Sequence, residues 1–178
     1  TIRGAFPVWE YQQTNALLTG IDFNSEWQVI EHWQHRLLLS YVNGRDRTNK
    51  DAIIDMPPLT INNRIQFQQK KWNNLTMELQ SEMVFRQTKF PANNFTTNII
   101  VNGEFVPVEV DISTPPPAYH LLHFNSDFQF KVAHNSMATL GFSVFNILDS
   151  KYRDYLNRQR FYADETGRNF QIQLKINY

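Results

Sequence analysis

The last nine residues, Phe170-Gln171-Ile172-Gln173-Leu174-Lys175-Ile176-Asn177-Tyr178, alternate apolar and polar side chains without a break. A period of two belongs to the β-strand, in which successive side chains point to opposite faces. The stretch therefore demands a sheet with one apolar and one polar surface. Phe170, Ile172, Leu174, Ile176 and Tyr178 share the apolar side, and the sequence ends on an aromatic residue.

The rest of the 178 residues offers little helical competition. No apolar run approaches the ~18–20 residues of a membrane-spanning helix. Mean hydropathy is -0.47, which speaks against a helical membrane protein. It says little against a membrane β-barrel, whose strands are half polar. Lys plus Arg number 17 and Asp plus Glu 17, so the chain is formally neutral. No basic stripe stands out, which counts against nucleic acid as a partner. With no cysteine, disulfide scaffolds, thiolate metal sites and a Cys nucleophile are excluded. No signal peptide opens the sequence, so Thr1 is expected to be either a mature N-terminus or a point inside a longer chain. The 14 Phe, 7 Tyr and 4 Trp suit strands and membrane-interface girdles, and would equally suit a soluble β core.

Alternation divides the chain into about seven segments, at residues 16–29, 36–43, 59–69, 75–86, 121–132, 137–148 and 170–178. In the third, Leu59, Ile61, Ile65 and Phe67 oppose Thr60, Asn62, Arg64, Gln66 and Gln68. In the fifth, Leu122, Phe124, Phe128 and Phe130 oppose His123, Asn125, Asp127 and Gln129. In the first, Ile21, Phe23, Trp27 and Val29 oppose Asp22, Asn24, Glu26 and Gln28. The expected fold is all-β, an antiparallel meander. A small hairpin is expected around Asn102-Gly103, a pair that favours tight turns.

The connections carry a second signal. Short turns near residues 32, 72 and 134 alternate with long polar loops at 44–58, 87–118 and 149–166. A meander puts all the short turns at one end and all the long loops at the other. Outer-membrane barrels have this asymmetry, along with a polar interior and strands of about 9–11 residues. In that setting Leu37, Leu39, Ile65, Phe67, Leu79, Phe142, Ile172 and Leu174 face lipid, and Trp27, Trp72 and Tyr178 form the girdle at the short-turn end. A soluble all-β ligand-binding domain shares the same parity, with Ile172 and Leu174 turned inward, and alternation alone does not separate the two.

Three stretches resemble the C-terminal part of TonB-dependent outer-membrane receptors of the Bacteroidetes type. They are Phe6-Pro7-Val8-Trp9 leading to Tyr11, Gln13-Thr14-Asn15-Ala16 and Gly20; Met56-Pro57-Pro58; and Asn146-Ile147-Leu148-Asp149 with Tyr152-Arg153-Asp154-Tyr155-Leu156, continuing to Gly167-Arg168-Asn169. Small departures occur at Asn15, Leu59-Thr60 and Ile147-Leu148, none of which breaks strand parity. The resemblance implies the C-terminal segment of a barrel that, whole, has about 22 strands around a plug. It also implies import of a scarce nutrient (a metal chelate, haem, cobalamin or a glycan) driven through TonB. Plug and earlier strands are absent from these residues, so residues 1–178 are expected to be the last portion of a larger receptor in a bacterial outer membrane. The expected partners are outer-membrane lipid, the TonB complex through the missing N-terminal part, and an unidentified nutrient. A structural barrel without active transport is the other membrane reading. Produced alone, the fragment is expected to self-associate through its open edges and apolar face.

The resemblance places substrate contacts on the plug and the external loops. Arg45, Arg47, Arg86, Arg153, Arg158 and Arg160 are the loop candidates, since guanidinium suits anionic chelates; a solvated loop face or surface lipopolysaccharide would use the same residues. No cofactor is expected, and no residue reads as catalytic. His120 and His123 lie three apart in a strand and so point to opposite faces. His32 and His35 bracket a turn but lack a supporting carboxylate geometry. Asp164, Glu165, Glu104 and Glu109 fall in loops, where solvation explains them.

Overall fold

The computed structural model describes residues 13–133 and 136–177. Its strands are β1 (Ala16–Ile30), β2 (Trp33–Asp46), β3 (Asp51–Ala52), β4 (Thr60–Gln69), β5 (Leu75–Val84), β6 (Phe95–Val101), β7 (Glu104–Val110), β8 (Tyr119–Ala133), β9 (Ser136–Phe145) and β10 (Asn169–Asn177). A short 3-10 turn, Arg158–Phe161, lies between β9 and β10. The expected Phe6-Pro7-Val8-Trp9 stretch, the turn at His134-Asn135 and the terminal Tyr178 lie outside the described residues.

The fold is the all-β antiparallel meander. Seven long strands run in the order β1-β2-β4-β5-β8-β9-β10, with β3 paired beside β2, while β6 and β7 form a separate ribbon. Every one of the seven expected segments became a strand, because each carries an uninterrupted period-two pattern that only sheet pairing satisfies. The turns at Glu31-His32 and Lys70–Asn74 occupy one end. Residues 47–59, 85–118 and 146–168 connect strands at the other.

Register keeps the two faces distinct across the whole sheet. One row runs Trp27, His35, Ile65, Leu79, Phe124, Val144, Phe170. A row on the opposite face runs Gln28, Gln34, Gln66, Glu78, Asn125, Ser143, Gln171. On the apolar face Ile65, Leu79, Phe142 and Leu174 are exposed and Ile172 reaches 74%, while Leu37, Leu39 and Phe67, also expected to face lipid, are half-buried. Arg64, Glu78, Gln80 and Glu82 on the polar face are half-buried. Along β5 the apolar side chains Met77, Leu79 and Met83 are thus more exposed than their polar neighbours. On β10 both faces are exposed, Ile172 and Leu174 as well as Gln171 and Gln173. One edge each of β1 and β10 is unpaired among the described residues.

Several strand boundaries differ from the sequence reading by a few residues, and three have a clear cause. The first turn is tighter: a register irregularity between Gln28 and Ile30 lets Ile30 pair with Trp33, and His32 takes the left-handed conformation with φ 70. Val29 therefore sits at the irregularity, where parity is lost. β2 continues to Asp46 and pairs with both β1 and β3. Gly44 permits this close packing, since a Cβ there would stand 2.6 Å from Met56 Sδ. β9 ends at Phe145 because Asn146 leaves the strand with φ 50.

Little of the sheet is truly buried. Val84, Leu121 and Tyr155 are enclosed near the long-loop end, as are Gln87, Ser113, Asn146 and Arg160. The polar members are held by hydrogen bonds, as burial demands. Gln87 Nε2 donates to the Met56 carbonyl at 2.8 Å and the Pro57 carbonyl at 3.3 Å, tying two long loops together.

Candidate functional site

The polar face carries a belt of paired charges. Glu26 accepts from Gln34 Nε2 at 2.6 Å and from Arg36 Nε at 2.6 Å. Arg36 stands opposite Arg64 in the register. Arg64 turns the other way, with Nη2 donating to Gln80 Oε1 at 3.2 Å and Nε 3.5 Å from Glu78 Oε1. The two guanidiniums thus sit side by side, each drawn to a carboxylate on its outer flank. Asn125 Nδ2 extends the chain of contacts to Glu78 at 3.4 Å.

Beside this belt lies a cavity of about 280 Å³, lined by Thr76, Glu78, Asn125, Asp127, Ser143 and Gln171 among others. Gly141 opens it: a Cβ at that position would meet Asp127 Oδ1 at 2.6 Å. A glycine inside a strand weakens it and marks a close approach, here that of the Asp127 carboxylate. The groove offers hydroxyl, amide and carboxylate groups, a lining suited to hydrated or polyhydroxylated solutes. Sequence reading placed each of these residues on the polar face and missed their convergence. The lone Gly141 within an alternating segment was the signal.

The long-loop end is built by three clasps. Asn146 Oδ1 accepts the Ser150 N–H at 3.0 Å and its Nδ2 donates to the Ser150 carbonyl at 2.9 Å. Asp149 Oδ1 accepts the Arg168 N–H at 2.9 Å, and Arg168 Nε donates to the Ile147 carbonyl at 2.9 Å. The Asn146-Ile147-Leu148-Asp149 and Gly167-Arg168 motifs are therefore joined to each other, linking the end of β9 to the start of β10. At the base of the β6–β7 ribbon, Asn94 Oδ1 accepts from Ser113 N at 3.1 Å and Oγ at 2.8 Å. Asp111 Oδ1 accepts from Ser113 N at 3.3 Å and Thr114 N at 2.9 Å. Desolvation pushes the Asp111 carboxyl upward, but these donors outweigh it and hold it below the ordinary value.

The six loop arginines do not form one cluster. Arg160 is buried, lies 4.5 Å from the ring centres of both Tyr155 and Phe161, and donates to the Tyr155 carbonyl. It packs the loop and leaves the set of ligand candidates. Burial pushes the Tyr155 phenol above its ordinary value, against the opposing Arg160 charge. Arg153 is engaged with Asp164 at 2.6 Å and the Arg160 carbonyl at 2.7 Å. Arg47, Arg86 and Arg158 are exposed. Arg45 belongs to the apolar-face parity of β2, in step with Leu39 and Tyr41.

Each of the four described histidines has its own neighbour. His120, on the apolar face, lies 2.8 Å from Ser81 Oγ. His123, on the polar face, accepts the Asn146 N–H at Nδ1, 3.2 Å away. His32 approaches Gln69 Nε2 at 3.2 Å and His35 lies against the Trp27 ring at 4.5 Å. Among the described residues, no three His, Asp or Glu converge as a metal site.

Trp33 and Phe67 lie 5.1 Å apart and Phe67 and Trp72 6.0 Å, at the short-turn end of the apolar face. Trp27, also at that end, and Trp72 are exposed. Trp27 and Trp72 thus lie at the short-turn end, where the sequence places two of its three girdle residues; the third, Tyr178, lies outside the described residues. A solved structure described as the copper transporter OprC superposes on 90% of this chain with a TM-score of 0.66 and 18% identity. The two share a fold. The chain spans only 23% of that protein's length. No family model matches the sequence, and no curated protein does either.

Proposed function

We propose that this chain is the C-terminal barrel portion of a TonB-dependent outer-membrane receptor that imports a scarce nutrient. The observation that carries the reading is the separation of faces: register keeps apolar rows on one side, with Ile65, Leu79, Phe142 and Ile172 exposed, and a polar belt on the other that is half-buried in the inner strands. In water this arrangement is wasteful, since each large apolar side chain left exposed forgoes roughly 1.5–3 kcal/mol. Against acyl chains it is the stable arrangement, provided strands close into a barrel that pairs every backbone group. The short turns and long, clasped loops at opposite ends, the aromatics at the short-turn end and the fold shared with a copper transporter support the same reading. The clasped Asn146–Asp149 and Gly167–Asn169 motifs support the family resemblance. The polar belt then lines the lumen, and the groove at Glu78, Asp127 and Gly141 is its open site for a hydrophilic cargo. The cargo is a metal chelate, haem, cobalamin or a glycan.

The test is fractionation of cells producing the complete polypeptide, followed by uptake assays with and without a functional TonB complex. The expected result is an outer-membrane protein with heat-shifted electrophoretic mobility whose cargo uptake requires TonB. Recovery in the soluble fraction would overturn the membrane reading. Membrane insertion with TonB-independent uptake would leave a barrel of another kind.

A further inference from the structure

The geometry points to a phosphate-binding site for an outer-leaflet lipid headgroup, formed by Arg45, Lys50 and Lys89 on the outer side of the sheet. It rests on the outer-membrane reading above. A cavity of about 300 Å³ lies where the upper part of β2, β3 and residues 88–90 meet, and these three cations line it with Asn43, Asp51 and Phe90. No ion pair occupies Arg45, Lys50 or Lys89 among the described residues. The carboxylate in the lining, Asp51, accepts the Ala52 N–H at 2.7 Å. Three cations against one carboxylate leave the cavity electropositive.

Its place on the sheet identifies the occupant. Arg45, Asn43, Tyr41, Leu39 and Leu37 alternate along β2 on the apolar face. Lys89 joins them there, its Nζ donating to Tyr41 Oη at 3.4 Å. Arg45 and Lys89 thus do not face the polar interior, where a nutrient would pass. Arg45 is twelve residues beyond Trp33 on the same strand. At about 3.4 Å per residue and a tilt of 35–45°, that is roughly 29–33 Å along the membrane normal. The apolar band of an outer-membrane barrel is about 25 Å tall. With Trp33 at the lower interface, Arg45 stands just above the upper edge of the hydrocarbon, at headgroup depth. Long cationic side chains at that depth lay their methylenes on apolar surface and hold their charges at the polar boundary. Arg and Lys donate to phosphate oxygens by charge-assisted hydrogen bonds.

The experiment uses the complete polypeptide extracted from its membrane in mild detergent. Titration with short-chain phosphatidylglycerol is followed by native mass spectrometry, beside the matching uncharged diacylglycerol and inorganic phosphate. The phosphate-bearing lipid is expected to bind, and the uncharged one not. Arg45→Ala, Lys50→Ala and Lys89→Ala should each weaken binding about five- to tenfold, Lys89→Arg should retain it, and Asp51→Asn should tighten it. Heat-shifted mobility in every variant confirms that the barrel has folded. Equal binding by wild type and the alanine variants, or equal binding of diacylglycerol, overturns the site. Displacement of the lipid by inorganic phosphate at matching concentration overturns the lipid source in favour of a soluble anion. A soluble protein in fractionation would instead sink the underlying membrane reading, so the two failures are distinguishable.

Discussion

Asn146 combines two demands that few residues meet together. Its backbone has φ 50, a left-handed conformation that Asn tolerates better than other non-glycine residues. Its buried amide is bonded to the Ser150 N–H and carbonyl. Asn146→Ala loses both the bonds and the conformational tolerance, at a cost of about 1–3 kcal/mol. Asn146→Gly keeps the conformation and loses the bonds, so it should fall between Ala and wild type. Urea unfolding in detergent checks the order of midpoints; an alanine variant as stable as wild type would show that the clasp does not hold the loop. At Gly141, by contrast, a larger side chain displaces the exposed Asp127 carboxylate. Gly141→Leu is expected to preserve folding and to lower cargo uptake by filling the groove, measured as initial rate at fixed receptor level. The role of Asn146 was not legible from its own residues, and Gly141 gave a signal without naming its partner. Asn146 could be placed only by family resemblance, because its motif closes on β10 through Asp149 and Arg168, nineteen positions apart. Gly141 acts through Asp127, which reaches it only after β8 and β9 pair in register.

At the level of elements, alternation located every long strand, and errors gathered where pairing overrides local pattern. Residues 44–46 read as loop because Gly44-Arg45-Asp46 is polar, yet β1 and β3 pair with them. The ribbon was expected only around residues 99–106, since Thr96, Asn98 and Pro107 break its apolar pattern; pairing extends from Phe95 with Val110 to Val101 with Glu104. Its turn has Asn102 at φ 54 and Gly103 at φ 88, the doubly positive geometry of a type I′ hairpin. β6 and β7 pair with no other strand, and an isolated hairpin is marginal in water. The Asn94, Asp111 and Ser113 clasp therefore anchors its base. Because the folded Asp111 carboxyl titrates below its ordinary value of 3.8, its contribution is fully present above that value. The contribution is lost as pH falls through the lower folded value. Amide signals of residues 94–114 should thus loosen on acidification in that window while the seven-strand sheet holds. Asp111→Ala should remove this step from the profile; an unchanged profile would mean that Asp111 does not anchor the ribbon.

The whole molecule turns on which face meets water, and strand parity alone left that open because a calyx and a membrane barrel alternate identically. Register adds what parity lacks. Exposed Ile65, Leu79, Phe142 and Ile172 on one side oppose half-buried Arg64, Glu78, Gln80 and Glu82 on the other. These 178 residues contain no cysteine, so cysteines introduced among them, with any outside them replaced, make the assignment measurable. Single cysteines placed at Ile65, Leu79 or Ile172 in the complete polypeptide should resist a water-soluble maleimide in membranes and react with a lipid-soluble one. Cysteines at Gln66, Gln80 or Gln171 should show the reverse, with reaction slowed wherever other parts of the polypeptide fill the lumen. Matching reactivity on the two faces would contradict a membrane wall. The same asymmetry governs the chain produced alone. With an unpaired edge on each of β1 and β10 and its apolar rows uncovered, it should self-associate in water, since open edges template further pairing and large apolar patches seek cover. Detergent covers the apolar face but leaves the edges open. Sedimentation should therefore give large assemblies in buffer and small ones in detergent; a stable monomer in plain buffer would mean that the apolar rows are covered within the chain itself.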